Sequence, residues 1–496
     1  MSVGKRIVNY ISSFRLDDRS IAVFRIILGI SVLYNLVLIK LPYAVEFWGQ
    51  HTIIPIDILK NMNGPSSHSI FDYIRNDIFA YVYISVAILS ALLFIVGYKS
   101  KYNAIILLFL YWNLLQGAAN WIGGYDFYNF HLLFWAMFLP LDNHFSIKPP
   151  KLKPKVSLAV SIILITQICW IYFATGMAKY GTAWTEGYAV KIMASDKWVT
   201  YKTAAFFANN IWVYKPLTYL TLFFEVSLPF FVLFPLRKTP IFRYIGILFL
   251  VGFHVSIFSI YDVANFSIAG LSGAALLLPE AFWQKWKFSP TQYAEKTKPT
   301  STLKRYLQYL KYAFFLIAFY VINLNNMKFL AGYTPLNKTN LGKKFYQYSP
   351  NISINSPVRI SIFFQYWKMF APEPIRDIGW LSIEYKKKDG QLYDLFSDKK
   401  IDSEHPVINY KPRGFEFQLL IYTRAMRFKN KLFTRVFLKY WFLHQLKIRN
   451  VPESYYKDFY LAEYRFYYPP NQEDISNIKV EKNLYDIQYI RTFADQ

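Results

Sequence analysis

Four ionisable side chains stand in or at the ends of long apolar runs, where a charge is costly and needs a partner or a task. Arg25 lies near the start of the first run, and Glu225 in the middle of Phe223-Phe224-Glu225-Val226. His254 sits in Gly252-Phe253-His254-Val255. Lys179 ends the stretch Tyr172-Phe173-Ala174-Thr175-Gly176-Met177-Ala178-Lys179-Tyr180 and is followed by Trp184-Thr185-Glu186-Gly187-Tyr188. An amine partly buried among aromatics loses hydration, which draws its pKa down toward neutrality, and a neutral lysine is a competent base. Each residue also has a plainer reading. Lys179 could be an interfacial anchor, Glu225 a satisfied helix–helix contact, His254 a structural hydrogen-bond donor, and Arg25 a side chain that snorkels to the headgroups. The chain has no Gly-rich phosphate loop, no His-Glu-x-x-His and no nucleophile elbow. Its single cysteine, Cys169, lies in an apolar run, so neither an intrachain disulfide nor a cysteine-based zinc site can form, and no metal is expected.

The elements that must position these residues follow from composition. Of 496 residues, 54% are hydrophobic and 18% charged, and the mean hydropathy is +0.17. That charged fraction leaves too little polar surface to solvate several soluble domains. With 20 Gly, 24 Pro and 20% aromatics, fibrous and disordered classes are excluded too. A polytopic helical membrane protein fits, because bilayer-facing helices need no charge. Nine candidate spans are read at 21–39, 78–97, 103–117, 127–141, 156–177, 217–236, 241–260, 263–281 and 309–324. The third and fourth are shorter than the roughly 20 residues a crossing helix needs. No small-residue cleavage site follows the first run, which reads as a retained helix.

The 56 Lys+Arg against 31 Asp+Glu give a formal charge of +25, which in a soluble chain would suggest nucleic acid. Here the basic residues gather in alternate loops: Lys99 and Lys101; Lys148, Lys151, Lys153 and Lys155; Arg237 and Lys238; Lys285 through Arg305. The intervening short loops, 118–126 and 261–262, hold no Lys or Arg. This alternation predicts a cytoplasmic N-terminus, and nine crossings then place the C-terminus outside. The partner is the lipid bilayer; no nucleic acid is expected.

After Leu324 no membrane-length apolar run remains. Trp380-Leu381-Ser382-Ile383-Glu384-Tyr385 alternates with period two, turns at Lys388-Asp389-Gly390 and continues into 391–396, a hairpin signature. Phe415-Glu416-Phe417-Gln418-Leu419 alternates similarly, and 429–448 is helical and amphipathic. The expected organisation is a transmembrane part over 1–325 and a β-rich extracytoplasmic domain with one or two helices over 326–496.

At these residues the chain resembles the membrane domain shared by vitamin K-dependent γ-carboxylases and their bacterial relatives, the horizontally transferred transmembrane (HTTM) domain proteins. The matching blocks run in order: Phe24-Arg25-Ile26; His51-Thr52-Ile53-Ile54-Pro55; 120–126 with Gly123-Gly124; Leu139-Pro140-Leu141 and Phe145-Ser146. The most specific is Tyr172-Phe173-x-x-Gly176-x-x-Lys179 with Trp184-x-Glu186-Gly187-Tyr188. Glu225, Phe253-His254, Phe266-Ser267 and Tyr366-Trp367-Lys368-Met369-Phe370-Ala371-Pro372 complete it, so the likeness spans about residues 20–400.

The resemblance implies a lyase-type carboxylation. In the carboxylases, the lysine matching Lys179 deprotonates reduced vitamin K. Oxygen then turns the quinol anion into a stronger base, which ends as the epoxide. That base takes a γ-proton from a protein glutamate, and carbon dioxide traps the carbanion. By the same likeness, Lys179 and His254 are the catalytic candidates, with His254 hydrogen-bonding the quinol or an oxygenated intermediate. Tyr125, Glu225 and Trp184 are the cofactor-binding candidates. The implied cofactor is a reduced vitamin K of menaquinol type, with O2 and CO2 as co-substrates. The implied partner is a secreted peptide or protein, at a bacterial inner membrane with the C-terminal domain periplasmic. The sequence departs from the carboxylases in lacking their disulfide, in carrying Tyr125 where a histidine is often found (with His131 later in the helix), and in its last hundred residues. Many bacterial members of the wider family are not known to carboxylate anything, so a non-carboxylating maturation or export factor for a secreted peptide stays open. A transporter is a third reading, motivated by Glu225 and His254 alone; no matched pair of broken helices supports it.

Overall fold

The structure is a computed structural model that describes residues 12, 14–55, 57–58, 68–118, 122–150, 154–195, 200–233, 241–261, 263, 265–286, 302–333, 338–348, 369–374, 376–396, 398–401, 431–467 and 481–486. The first helix, α1 (Asp18–Tyr34), starts where the Asp17 carboxylate accepts from the Arg19 N–H at 2.8 Å, satisfying one of the donors a helix start leaves open. It runs through a π turn, Asn35–Lys40, to Ala44–Trp48, so that Asp18–Trp48 forms a 31-residue apolar stretch. Helix α2 (Asp77–Val96) is capped by Asn76, whose side chain accepts from Phe79 N at 3.1 Å, and it stops at Gly97, whose φ of 77° only glycine adopts without strain.

Then come α3 (Ser100–Gly117), α4 (Gly124–Ala136), α5 (Leu158–Met177), α6 (Ile211–Leu233), α7 (Ile241–Ile260), α8 (Phe266–Leu276) and α9 (Thr302–Tyr333). The protein is mostly helical, and among the described residues six helices are long and apolar enough to cross a membrane. They are Asp18–Trp48, Asp77–Val96, Leu158–Met177, Ile211–Leu233, Ile241–Ile260 and Tyr306–Leu324. These coincide with six of the nine expected spans. The third, fourth and eighth correspond to α3, α4 and α8. Of these, α3 is diluted by Lys101, Asn103, Asn113 and Gln116, and α4 and α8 have only 13 and 11 residues. Their polar residues are used inside the bundle: Asn265, at the start of α8, donates to the Ser31 carbonyl of α1 at 2.8 Å.

Helix α1 packs on α2 and α8, α5 on α6 and α9, and α7 on α6 and α8. Apolar side chains such as Leu89, Phe109, Phe223 and Leu248 remain exposed on the outer faces, as lipid-facing surfaces should. Arg25 does not snorkel. It is fully buried, and its guanidinium turns inward to donate to the carbonyls of Leu141 (2.6 Å), Ile95 (3.3 Å) and Phe145. Those carbonyls lie at the end of α2 and in the loop after α4, and a five-donor fork suits that cluster.

The C-terminal part holds a four-stranded antiparallel sheet in the order β2-β1-β3-β4, with β1 Asp377–Lys386, β2 Leu392–Asp394, β3 Phe459–Tyr467 and β4 Glu481–Tyr485. The expected hairpin is β1–β2, with Glu384 opposite Asp394 and Gly390 (φ 77°) in its turn. Buried Glu384 accepts from the Tyr464 hydroxyl and from Lys482 at 2.7 Å. The expected helix is α10 (Lys431–Ile448), which buries Trp441, Phe442 and Leu446. The 415–419 alternation lies outside the described residues.

Candidate functional site

Gly176 decides how closely α5 and α6 approach. A Cβ there would lie 2.8 Å from the Cβ of Glu225 and 3.1 Å from the backbone nitrogen of Val226. With no side chain in the way, Glu225 presses onto the end of α5, and Lys179, three residues after Gly176, reaches it. Both Glu225 carboxylate oxygens accept from Lys179 Nζ, and both side chains are buried. On α6, Pro229 lies one turn after Glu225 and lacks the N–H that would bond the Glu225 carbonyl. The amine also lies 4.8 Å from the ring centroid of Trp184, a cation–π contact that favours a charge held out of water.

Lys179 and Glu225 face a cavity of about 520 Å3, walled by Tyr125, Trp184, Phe224, Phe249, Phe253 and Phe266. The structure therefore brings four of the five expected site residues, Lys179, Glu225, Trp184 and Tyr125, to one cavity. His254 stands one layer behind. Its Nε2 is 2.6 Å from the Tyr172 hydroxyl, and its ring packs on Phe253 and Phe266, which do line the cavity. Gly270 makes room for it, since a Cβ there would come within 2.0 Å of the imidazole. Nδ1 has no hydrogen-bond partner among the described residues.

Two features escaped sequence reasoning. The first is a buried polar cluster behind the Gly123–Tyr125 wall. Asp126 accepts from Gly123 N at 2.8 Å, Asn35 at 3.2 Å, Tyr111, and Lys40 Nζ at 3.4 Å. It thereby fixes the backbone that carries Tyr125 into the cavity. Lys40 ends an apolar run and looks like an anchor, so nothing in the sequence marks it as inward-facing. The second is the packing of the segment 369–373, which closes one side of the cavity with Met369 and Phe370. Trp184 Nε1 donates to the Phe370 carbonyl at 3.0 Å, Gly181 N to the Pro372 carbonyl at 3.0 Å, and Ala183 N to Glu373 at 3.1 Å. The backbone of Phe370 is left-handed, with φ 66°, a conformation that a bulky residue keeps only when its surroundings impose it.

Chemically, the arrangement offers one amine and one carboxylate in the wall of an aromatic, largely apolar cavity. Such a pair can hold a proton and exchange it with a ligand's hydroxyl. Among the described residues no group of three His, Cys, Asp or Glu could hold a metal ion.

Comparison with known proteins bears on this arrangement in one respect. No curated protein and no solved structure matches the chain. The family model of the HTTM domain does match, over residues 14–283, a stretch that contains α1 to α8 and every residue of the Lys179–Glu225 and His254–Tyr172 pairs. By that match, covering more than half its length, this multi-pass membrane protein belongs to the HTTM domain family.

Proposed function

We propose that the cavity is the site of a carboxylase-like reaction driven by a reduced, vitamin K-type quinol, acting on glutamate in an exported peptide or protein. The observation that carries this reading is the amine of Lys179 at an aromatic cavity wall, held by Glu225 and Trp184. Volume and lining fit an aromatic hydroquinone: apolar walls with a few convergent polar groups are what small-molecule sites share. Trp184 and Tyr125 would hold the ring, and Phe224 and Phe253 would exclude water. When bound, the quinol supplies, with oxygen, the reducing power and the strong base that carboxylation requires.

The chain's own task is proton handling. Moving a proton from Lys179 Nζ to the Glu225 carboxylate leaves a neutral amine facing the cavity without creating net charge. That amine is the acceptor for the ligand's hydroxyl proton. Tyr172 and His254 set the aromatic wall beneath it. The basic loops support an orientation with a cytoplasmic N-terminus. With α3, α4 and α8 crossing as well as the six longer helices, the C-terminal sheet would lie on the other side, where an exported substrate is met.

The test uses purified protein in lipid nanodiscs with reduced vitamin K, labelled bicarbonate and a glutamyl peptide. Incorporation of label as carboxyglutamate supports the proposal, and its absence with a quinol demonstrably bound overturns it. A second reading draws on the closeness of the ion pair, since an ammonium engaged by both carboxylate oxygens can serve structure alone. On that reading the protein is a non-carboxylating maturation or export factor. Capture of a secreted peptide that survives Lys179→Ala without any carboxylation would favour it.

A further inference from the structure

Gly252 is an anomaly among the helical glycines. Gly29, Gly176, Gly246, Gly270 and Gly273 each stand where an added Cβ would meet another residue at 3.2 Å or closer, so packing explains them. Around Gly252, within α7, a Cβ would meet nothing within 4 Å among the described residues. Glycine weakens a helix interior relative to alanine, and here no neighbour repays that loss. Yet Gly252 lines the cavity, between Leu248 and Ser256 one turn to either side on the same face.

The space in front of it leads outward. Leu248 of α7 and Leu220 of α6 line the cavity and are also 72% and 43% exposed. Both belong to helices apolar enough to span a membrane. The cavity is thus continuous with the outer, lipid-facing surface between α6 and α7. Its buried lining includes the polar pair Lys179 and Glu225, and its exposed lining the apolar Leu220 and Leu248. A buried polar pair and an exposed apolar lining in the plane of the bilayer match one ligand chemistry, a membrane amphiphile with a polar head and a long apolar tail.

We propose that the α6–α7 gap is a lateral portal, and that Gly252 is the residue which lets the tail of such an amphiphile lie across α7 while its head occupies the cavity. The identity of the head as a quinol rests on the function proposed above; the portal does not. Bulk at position 252 would exclude long tails and spare tail-less heads. Gly252→Ala, whose Cβ has open space, should fold normally.

Two measurements decide it. With Cys169→Ala as background, Gly252→Cys is spin-labelled in nanodiscs and probed with oxygen, which concentrates in lipid, and with a water-soluble nickel chelate. Collisions dominated by oxygen are expected; equal or greater collision with the chelate overturns the portal. Second, binding of a long-chain menaquinone and of tail-less menadione is compared between wild type and Gly252→Trp. The tailed ligand should lose about tenfold or more in affinity while menadione changes little. Equal loss of both, or loss of neither, overturns the role of Gly252. If neither quinone binds the wild type, the quinol reading falls, and the spin label still decides where the cavity opens.

Discussion

Gly176 and Glu225 meet at a helix crossing so close that a single added carbon on the glycine would lie 2.8 Å from the glutamate Cβ. The contact between Lys179 and Glu225 depends on that approach. Gly176→Ala should push α5 and α6 apart and destabilise the protein by about 1–3 kcal/mol, the usual range for overpacking. Thermal unfolding in detergent measures this. An unchanged midpoint would show that the crossing has slack.

Breaking the buried pair from one side leaves a charge without its partner. Lys179→Met and Glu225→Leu should each cost about 3–5 kcal/mol, whereas the double substitution should recover most of the loss, because apolar replacement of a whole buried pair is often neutral. Stability of the four proteins closes a double-mutant cycle. A double variant as stable as wild type yet inert toward quinol would separate the pair's structural part from its chemical one. Additive losses would instead mean that the two residues act independently.

Tyr172→Phe removes the hydroxyl 2.6 Å from His254 Nε2 and should cost about 1–3 kcal/mol, since the buried ring nitrogen is left unsatisfied. Adding His254→Phe should recover part of it by removing the orphaned group. Because both residues lie behind the cavity wall, ligand affinity should fall less than with Trp184→Ala. Isothermal titration against a bound quinone compares them, and the reverse order would place His254 in direct contact with the ligand.

In the C-terminal part, His444 on α10 has its pKa lowered by burial first, then by the positive charges of Lys447 and Arg449. The unfolded chain therefore takes up this proton at about pH 6.5 while the folded one does so only at lower pH. The stability tied to neutral His444 is complete above about pH 6.5 and is lost as pH falls from there toward the folded value. Hydrogen exchange over residues 438–448 in the full protein should quicken on acidification from about pH 7.5 to about pH 5.5, after correction for intrinsic rates. His444→Gln should flatten that dependence. Slower exchange in acid would contradict it.

Lys179, Glu225 and His254 could be found in the sequence because an ionisable group within an apolar run is conspicuous. The pairing of Lys179 with Glu225 could not, since it depends on a crossing that one glycine permits between helices far apart in the chain. Lys40 looked like any lysine at the end of an apolar run, and only the arrival of Asp126 from another helix turns it inward. Arg25 misled for a related reason: the carbonyls it binds come from α2 and from a loop over a hundred residues downstream. The hairpin around Gly390 was legible because its turn and alternation are local. The packing of 369–373 over the cavity was not, because it rests on hydrogen bonds to Trp184 and Gly181 that no local pattern encodes.

The most direct measurement follows the fate of reduced vitamin K itself in nanodiscs containing wild type or Lys179→Met, with oxygen present and a glutamyl peptide supplied. Epoxide formed by the wild type, and abolished by Lys179→Met while the quinol still binds, is the expected result. Epoxide formed equally by both proteins would show that the buried amine is not the proton acceptor.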